Sequence, residues 1–306
     1  MSARHREPGA SSHEVCDYEG SPYRRVFWEE ADRTYEDAAE RLAVRALLPG
    51  SGTRLVDIGA GFGRLVSEYA GYRHVVLLDY AFSMLADARA RLGNRYTYVC
   101  ADLYRLPFAD GSLDTAVQVR VLHHIAAIDD ALREVGRSLR PGGSLVLEFA
   151  NKRHAKSVAR HVLRRGGPDP FDPRPHEFAP LHWNFHPADV ERAVRAAGLR
   201  VQKRRAVSHW RHPVLKQALP APLLARLDAG ADRLLGRLAL APSRFLRAVR
   251  PGHAAVADTL WRCPACGAER LARLPDALAC LGCRRRWPIV DGIHVFREGA
   301  PTVPSA

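Results

Sequence analysis

The residues best placed to bind a ligand are the acid and the glycines of segment 55–63, which reads LVDIGAGFG. Asp57 lies in an apolar run, and glycine follows at every second position, as Gly59, Gly61 and Gly63. Such a loop lets the backbone approach a ligand more closely than side chains would permit. Residues 64–70 predict a helix whose free N–H groups would point at that ligand. We therefore predict a nucleotide-like ligand at the carboxyl end of a first parallel strand.

Two further acids follow predicted strands. Asp79 ends the apolar segment HVVLLD and lies 22 residues after Asp57, close to the roughly 20-residue spacing at which an acid binds ribose hydroxyls in doubly wound folds. Asp102 follows the next strand, at 96–100, where it could contact the ligand or cap the next turn. Since all three acids end strands of one predicted sheet, ligand binding is the stronger interpretation.

Four cysteines form two C-x-x-C pairs near the C-terminus. Cys263 and Cys266 are separated from Cys280 and Cys283 by thirteen residues. Thiolates at this spacing are typical of tetrahedral Zn²⁺ sites, and a unit of roughly forty residues needs such a site because it buries too little core. We predict a structural zinc site at these four residues.

The pattern acid-x-G-x-G-x-G resembles motif I of the class I S-adenosylmethionine-dependent methyltransferases. It differs from the dinucleotide fingerprint G-x-G-x-x-G because Arg64 stands where the last glycine would be. The segments ADLYRLPFADGSLDTAV and ALREVGRSLRPGGSLVLEF resemble the ubiquinone- and menaquinone-methylase-like branch. The resemblance implies S-adenosyl-L-methionine as cofactor. It implies the cofactor-binding residues Asp57, Gly59, Ala60, Gly61, Gly63, Asp79, Tyr80, Asp102 and Leu103.

The C-terminal segment WPIVDGIHVF resembles the zinc-ribbon activator subunits of tRNA, rRNA and release-factor methyltransferases. The resemblance implies a ribbon fused to the catalytic domain, which could activate it or serve only a structural role.

These motifs require an α/β fold. We expect a doubly wound, mostly parallel, seven-stranded, Rossmann-like sheet with an antiparallel last strand, plus a small zinc-ribbon unit. Residues 1–17 are predicted to be a disordered tail, residues 18–250 the methyltransferase domain, and residues 251–306 the ribbon. An insert at about 209–241 contains a helix with Leu223, Leu227, Ala231, Leu234 and Leu238 on one face. Packing of this helix on its own domain is favoured over a lid, a dimer face or peripheral membrane contact through residues 213–241.

Candidate catalytic residues follow the fourth strand, where the family places acceptor contacts. His123 and His124 are a titratable pair that could include a general base, or could simply pack. Further candidates for the acceptor pocket lie at the end of strand five and in the loop beyond it: Glu148, Asn151, His182, Trp183 and His186.

Charge indicates the acceptor. Residues 1–150 have a net charge of −3, whereas residues 151–306 have +16. This asymmetry predicts an acidic acceptor. RNA is placed slightly ahead of phosphorylated or carboxylated small molecules because arginine suits phosphate and because the ribbon resembles partners of RNA-modifying enzymes. The alternatives are methylation of another small metabolite and a catalytically silent, cofactor-binding scaffold. The sequence has no apolar run of membrane-spanning length and no signal-peptide pattern, so we expect a cytoplasmic protein.

Overall fold

The computed structural model describes residues 13–22 and 24–297. Its strands are β1 (Gly52–Ile58), β2 (Tyr72–Asp79), β3 (Thr97–Cys100), β4 (Leu113–Gln118), β5 (Leu139–Ala150), β6 (His176–Ala179), β7 (His182–Asn184), β8 (Arg200–Val207), β9 (Ser243–Val249), β10 (Leu271–Arg273), β11 (Ala277–Cys280), β12 (Arg286–Val290) and β13 (Ile293–Val295). Its α-helices are α1 (Thr34–Leu47), α2 (Phe82–Leu92), α3 (Ile128–Ser138), α4 (Ala155–Val162), α5 (Pro187–Ala196), α6 (Pro213–Ala218) and α7 (Ala221–Leu235). A π-helical segment spans Arg24–Glu29.

The predicted seven-stranded sheet is confirmed. Its order is β3-β2-β1-β4-β5-β9-β8, with β9 antiparallel to both of its neighbours. Side chains of β1 alternate between the two faces of this sheet. Val56 and Ile58 belong to the core that includes α3 and α5, whereas Leu55 belongs to the core that includes α1, α2 and α7. Both faces of the central strands are therefore buried, which explains their nearly continuous apolar sequence.

The segment that contains the four C-x-x-C cysteines continues this sheet. Strand β13 pairs in parallel with β3, with Ile293 opposite Tyr98 and Val295 opposite Cys100. Strands β12, β11 and β10 follow as antiparallel neighbours, so the sheet has 11 strands. The β3 edge is consequently covered by the chain's own C-terminal segment, which removes an open strand edge.

The prediction of a helix at residues 64–70 is wrong. Only one 3₁₀ turn, Val66–Tyr69, forms there. Strand β2 begins at Tyr72, so too few residues remain for an α-helix. A Cβ at Gly71 would lie 2.2 Å from the Gly50 carbonyl oxygen, so the close approach of the chain there requires glycine. The glycine loop is therefore not followed by an α-helix whose N-terminus faces the ligand.

Residues 13–17 correct the prediction of a disordered tail over residues 1–17. Val15 packs against the main core, and the His13 ring lies 3.0 Å from the Asp130 carboxylate. Residues 1–12 lie outside the described part of the chain.

Helix α7 packs through a different face from the predicted one. Leu223, Leu227 and Leu238 are exposed. The buried face includes Asp228, which accepts hydrogen bonds from the Ser208 and His209 amides (2.9 and 2.7 Å) and from the Tyr35 hydroxyl (3.0 Å). These bonds satisfy buried backbone donors at the end of β8, and Leu224 is buried on the same face, one turn before Asp228.

No helix within residues 13–22 and 24–297 is long and apolar enough to cross a membrane.

Candidate active site

The glycine loop lines a cavity at the carboxyl ends of β1 and β2. The amides of Gly59 and Ala60 both donate to the Leu78 carbonyl (2.7 and 2.9 Å), which holds the loop against β2. A Cβ at Gly59 would lie 2.1 Å from a Val121 methyl, whereas no described atom lies within 4 Å of a Cβ built at Gly61. Gly59 is therefore required by packing, and Gly61 leaves space on the cavity side for a ligand to approach the backbone.

Two of the three predicted acids face this cavity. The Asp79 carboxylate accepts from the Gly61 amide (2.8 Å) and the Ala81 amide (3.0 Å). Burial raises its pKa, and these backbone bonds oppose that rise. Asp57 is also buried; burial raises its pKa to about 7, with the Asp79 charge adding to the effect. Each carboxylate oxygen of Asp79 can accept a second hydrogen bond, so a ligand hydroxyl could bind there.

The third acid caps a turn, and its role in ligand binding stays a prediction. Asp102 accepts from the Tyr104 amide (2.9 Å) and caps the 3₁₀ turn Leu103–Arg105. It is not among the residues lining the cavity, and neither is Gly63, where a Cβ would lie 2.6 Å from Leu92. The other seven predicted cofactor residues line the cavity: Asp57, Gly59, Ala60, Gly61, Asp79, Tyr80 and Leu103.

A buried ion network that the sequence did not predict forms one wall. Glu40 of α1 is fully buried between the guanidinium groups of Arg64 and Arg120, which both line the cavity. Burial alone would raise the Glu40 pKa, but the two arginines outweigh it and lower the pKa. Trp28, also a lining residue, lies under both guanidiniums (4.1 and 5.0 Å). In the sequence, Glu40 resembles an ordinary surface residue of an amphipathic helix. Its burial becomes evident only from its contacts with Arg64 and Arg120 in the folded chain.

Residues 13–22 form a strap over the cavity, to which Val15, Cys16 and Tyr18 contribute. The Glu19 carboxylate accepts from the Phe82 and Ser83 amides at the start of α2 (2.7 and 3.0 Å). Arg297, just after β13, contacts Asp17 (3.1 Å) and Glu19 (3.3 Å), and its guanidinium lies 4.3 Å from the Tyr80 ring centre. The C-terminal segment thus holds the strap in place and touches the cavity wall.

The histidines form a cluster beside the strap. The ring centres of His123 and His182 lie 3.9 and 4.6 Å from that of His124. Nδ1 of His124 faces the Leu181 carbonyl oxygen (3.3 Å), so it carries the proton, and Nε2 accepts from the Tyr18 hydroxyl (3.1 Å). Burial and the neighbouring His182 lower the pKa of His124 to about 4. The His123 pKa is also lowered well below its ordinary value, mainly by burial, and only His124 of the predicted pair lines the cavity.

The remaining acceptor candidates lie elsewhere. Glu148 is buried and accepts from the Arg120 amide and the Ser243 hydroxyl. The Asn151 amide donates to the carbonyls of Ala239 and Ala241, and His186 caps α5. These groups, like Trp183 and His182, are not among the residues lining the cavity.

The four ribbon cysteines come together. Their sulfurs all lie within 4.8 Å of one another, with Cys263 and Cys283 3.7 Å apart and Cys266 and Cys280 3.5 Å apart. Sulfurs about 2.3 Å from a tetrahedral Zn²⁺ would be about 3.8 Å apart. The cluster fits that ion.

Comparison with known proteins identifies the central part of the chain. Residues 56–147 match a family described as "Methyltransferase domain". This part of the chain is therefore similar to a methyltransferase domain. The match includes the end of β1, the glycine loop, Asp79 and Asp102, so it confirms the resemblance that these residues carry.

Two relatives support this assignment. The ubiquinone/menaquinone biosynthesis C-methyltransferase of Roseobacter denitrificans is 35% identical over 34% of this chain and 45% of its own length. The 27-O-demethylrifamycin SV methyltransferase of Amycolatopsis mediterranei is 32% identical over 42% of this chain and 51% of its own. The chain thus spans about half the length of these relatives. The fold resembles a chain from the Haloferax volcanii complex of the Trm112 methyltransferase activator and a methyltransferase, with a TM-score of 0.54, 19% identity, and coverage of 75% of this chain and 96% of that one.

The strap gives a first prediction. Replacing Arg297 with alanine removes both contacts to the strap, so we expect the affinity for S-adenosylmethionine to fall roughly threefold to tenfold, since partly exposed pairs contribute up to about 1 kcal/mol each. Isothermal calorimetry measures the change. Arg286→Ala, which removes an exposed ribbon arginine paired with Asp276, is the control and should bind normally. Equal affinities in both variants would contradict this role of Arg297.

His124 gives a second prediction. Its folded-state pKa of about 4 lies below the ordinary value of about 6.5, so below pH 6.5 the unfolded state takes up a proton first and stability falls. The contribution is at most about 1.4 kcal/mol per pH unit between pH 6.5 and 4. His124→Phe should flatten the plot of unfolding free energy against pH in that window, measured by urea denaturation. His74→Phe, at an exposed position, should leave the slope unchanged; identical slopes for all three proteins would rule out this contribution.

Proposed function

We propose that this protein transfers a methyl group from S-adenosylmethionine to a small-molecule acceptor. The observation that carries the proposal is the meeting of Asp57, the glycine loop and Asp79 in one cavity of a methyltransferase domain. When bound, the cofactor supplies an activated methyl group on sulfur. The protein then has to bind the cofactor, orient the acceptor and exclude water.

The lining residues suggest how the cofactor is held. Asp79 would accept the ribose hydroxyls with the lone pairs that its two backbone donors leave available. Met84, Leu103 and Ile125 offer an apolar surface for the adenine ring. Close approach of the ligand to the loop backbone would occur at Gly61, where no side chain intervenes. Arg64 and Arg120 could face the cofactor's carboxylate, since both guanidiniums are fixed by Glu40.

For the acceptor, we propose a positioning role for Tyr18 and His124. A group whose pKa is about 4 is a weak base at neutral pH, and Nε2 of His124 already accepts from Tyr18. The pair could instead orient an acceptor whose nucleophile is already deprotonated. The strap containing Tyr18 would keep water out of the cavity.

The acceptor class is drawn from the relatives and the charge. The two named relatives act, by their names, on quinone precursors and a rifamycin, and neither name mentions RNA. We therefore favour a small molecule over the RNA acceptor that the charge and the ribbon resemblance placed slightly ahead. An acidic group on it remains part of the proposal because residues 151–306 have a net charge of +16.

Asp79→Ala tests cofactor binding. Loss of hydrogen bonds to a charged acceptor, at about 1.5–3 kcal/mol each, should weaken binding of S-adenosylmethionine at least about tenfold in calorimetry. Asp276→Ala, which removes an exposed acid of the ribbon, is the control. Circular dichroism checks that the variant is folded, and unchanged affinity in a folded variant would remove Asp79 from the site.

Methyl transfer is tested with labelled cofactor and separated cell fractions. We expect label in the small-molecule fraction that depends on Asp79, and none in RNA. Label in RNA would overturn the acceptor class. Normal cofactor binding with no transfer to either fraction would favour the catalytically silent scaffold.

We also propose that the four ribbon cysteines hold one structural Zn²⁺. Purified protein should contain one zinc per chain, and Cys266→Ser should lose it and make β10–β12 sensitive to protease, because metal binding and folding are coupled in such small units. Cys16→Ser, outside the cluster, should keep its zinc. Four freely titratable thiols and no zinc in the wild-type protein would contradict the site.

A further inference from the structure

A second cavity, of about 360 Å³, lies between α4 and the β6–β7 hairpin. It shares no lining residue with the cofactor cavity, and its size falls in the roughly 300–1,000 Å³ range of small-molecule sites. Basic side chains dominate it, and no carboxylate is among the described residues that line it. The polar side chains of the lining are Lys152, His154, Lys156, Ser157, Arg160, His176 and Asn184.

The segment that supplies most of the residues lining this cavity is rich in basic residues and contains no acidic residue. Residues 149–168 include six Lys or Arg residues and no Asp or Glu. Lys156 and Arg160 stand at the exposed rim, and neither has an ion-pair partner among the residues the structure describes. Two nearby acids are already engaged: Asp172 pairs with Arg174 (2.9 Å), and Asp169 lies 3.8 Å from the His161 ring.

Lys152 places a cation in the interior beside this rim. Its side chain is buried, and its ammonium group donates to the carbonyls of Asp172 (3.0 Å) and Arg174 (2.8 Å). Carbonyl dipoles solvate the ammonium but do not neutralise it, and the nearby Asp172 carboxylate, whose pKa Lys152 helps to lower, is already paired with Arg174. An anion in the cavity would add a counter-charge that Lys152 does not share with Arg174.

The backbone at the mouth leaves room for an anion. Gly166 and Gly167 have φ values of +72° and +109°, which side chains rarely tolerate, and a Cβ at Gly166 would have no described atom within 4 Å. Across the mouth, Arg160 offers a planar fork and Lys156 a mobile point charge, the two side-chain forms that bind phosphate in proteins.

We propose that this cavity binds the phosphate group of a small-molecule ligand. The β6–β7 hairpin that lines it through Phe178 and Asn184 also carries Leu181 and His182, which contact His124 of the cofactor cavity. The phosphate belongs either to the methyl acceptor or to a separate phosphorylated ligand, and the two sources share the same chemistry at the site. The acceptor source rests on the proposed methyl transfer, whereas the phosphate site itself does not.

Calorimetry with inorganic pyrophosphate tests the site without any methyl transfer. The wild-type protein should bind the probe in low salt, and the double variant Lys156→Ala/Arg160→Ala should bind it at least about tenfold more weakly, since each lost bond is charge-assisted. The control is Lys203→Ala/Arg200→Ala, which removes the same charges from exposed positions of β8 and should change binding less than about twofold. Equal losses in both double variants, or no binding to the wild type, would overturn the proposal.

A second variant adds charge instead of removing it. Asn184→Asp changes the lining by a single near-isosteric substitution, and we expect it to abolish pyrophosphate binding through repulsion. Affinity for S-adenosylmethionine should be retained, which shows that the variant is folded. Unchanged pyrophosphate binding by this folded variant would place the probe elsewhere.

Phosphatase treatment of the small-molecule extract before the transfer assay distinguishes the two sources of the phosphate group. Loss of labelled product would assign the phosphate to the acceptor. Undiminished labelling, together with intact pyrophosphate binding, would assign it to a separate ligand. If unfractionated RNA displaces pyrophosphate, with binding that weakens steeply as salt rises, the small-molecule assignment is wrong.

Discussion

The geometry of the candidate active site depends on the carboxylate of Asp79. One oxygen holds the Gly61 amide and the other holds the Ala81 amide, so a single side chain ties the loop after β1 to the start of α2. The loop is not followed by an α-helix. Hydrogen bonds to the Leu78 carbonyl and to the Asp79 carboxylate hold it in place instead. This arrangement keeps the carboxylate desolvated but bonded on both oxygens, so a ligand meets a preformed acceptor.

The β3 edge links the ribbon to the same cavity. Because β13 pairs with β3 in register, the chain leaves the sheet beside Cys100, where the Phe296 amide donates to the Cys100 carbonyl (2.7 Å). The next residue, Arg297, reaches Tyr80 and the strap. The segment that contains the four clustered cysteines and the candidate active site are therefore linked through the β13–β3 pairing and through Arg297.

Sequence reasoning found the parts of the fold that follow from local pattern. The predicted strands HVVLLD and 96–100 agree with β2 and β3 to within about two residues, because a parallel strand buried on both faces is apolar over most of its length. Sequence reasoning failed where contacts between distant segments determine the structure. The rotation of α7 depends on donors at the end of β8, which no helical periodicity in 213–241 reveals. Glu40, Arg64 and Arg120 come from three separate segments, and the strap resembled a disordered tail because its polar residues pair with groups far along the chain.

The net charge of a segment does not show which of its charged residues are paired, and the structure does. The +16 balance of residues 151–306 suggests a broad basic surface, but many of its arginines are already paired. Arg204 binds Glu191 (2.6 Å) and Arg205 binds Asp232 (2.8 Å). Paired guanidiniums contribute little to long-range attraction, because the field of each is largely cancelled by its partner. Around α4, by contrast, Lys156 and Arg160 have no ion-pair partner among the described residues, and they border the mouth of the second cavity. A surface of that kind selects a compact anion that can enter the cavity rather than an extended polyanion lying across a face.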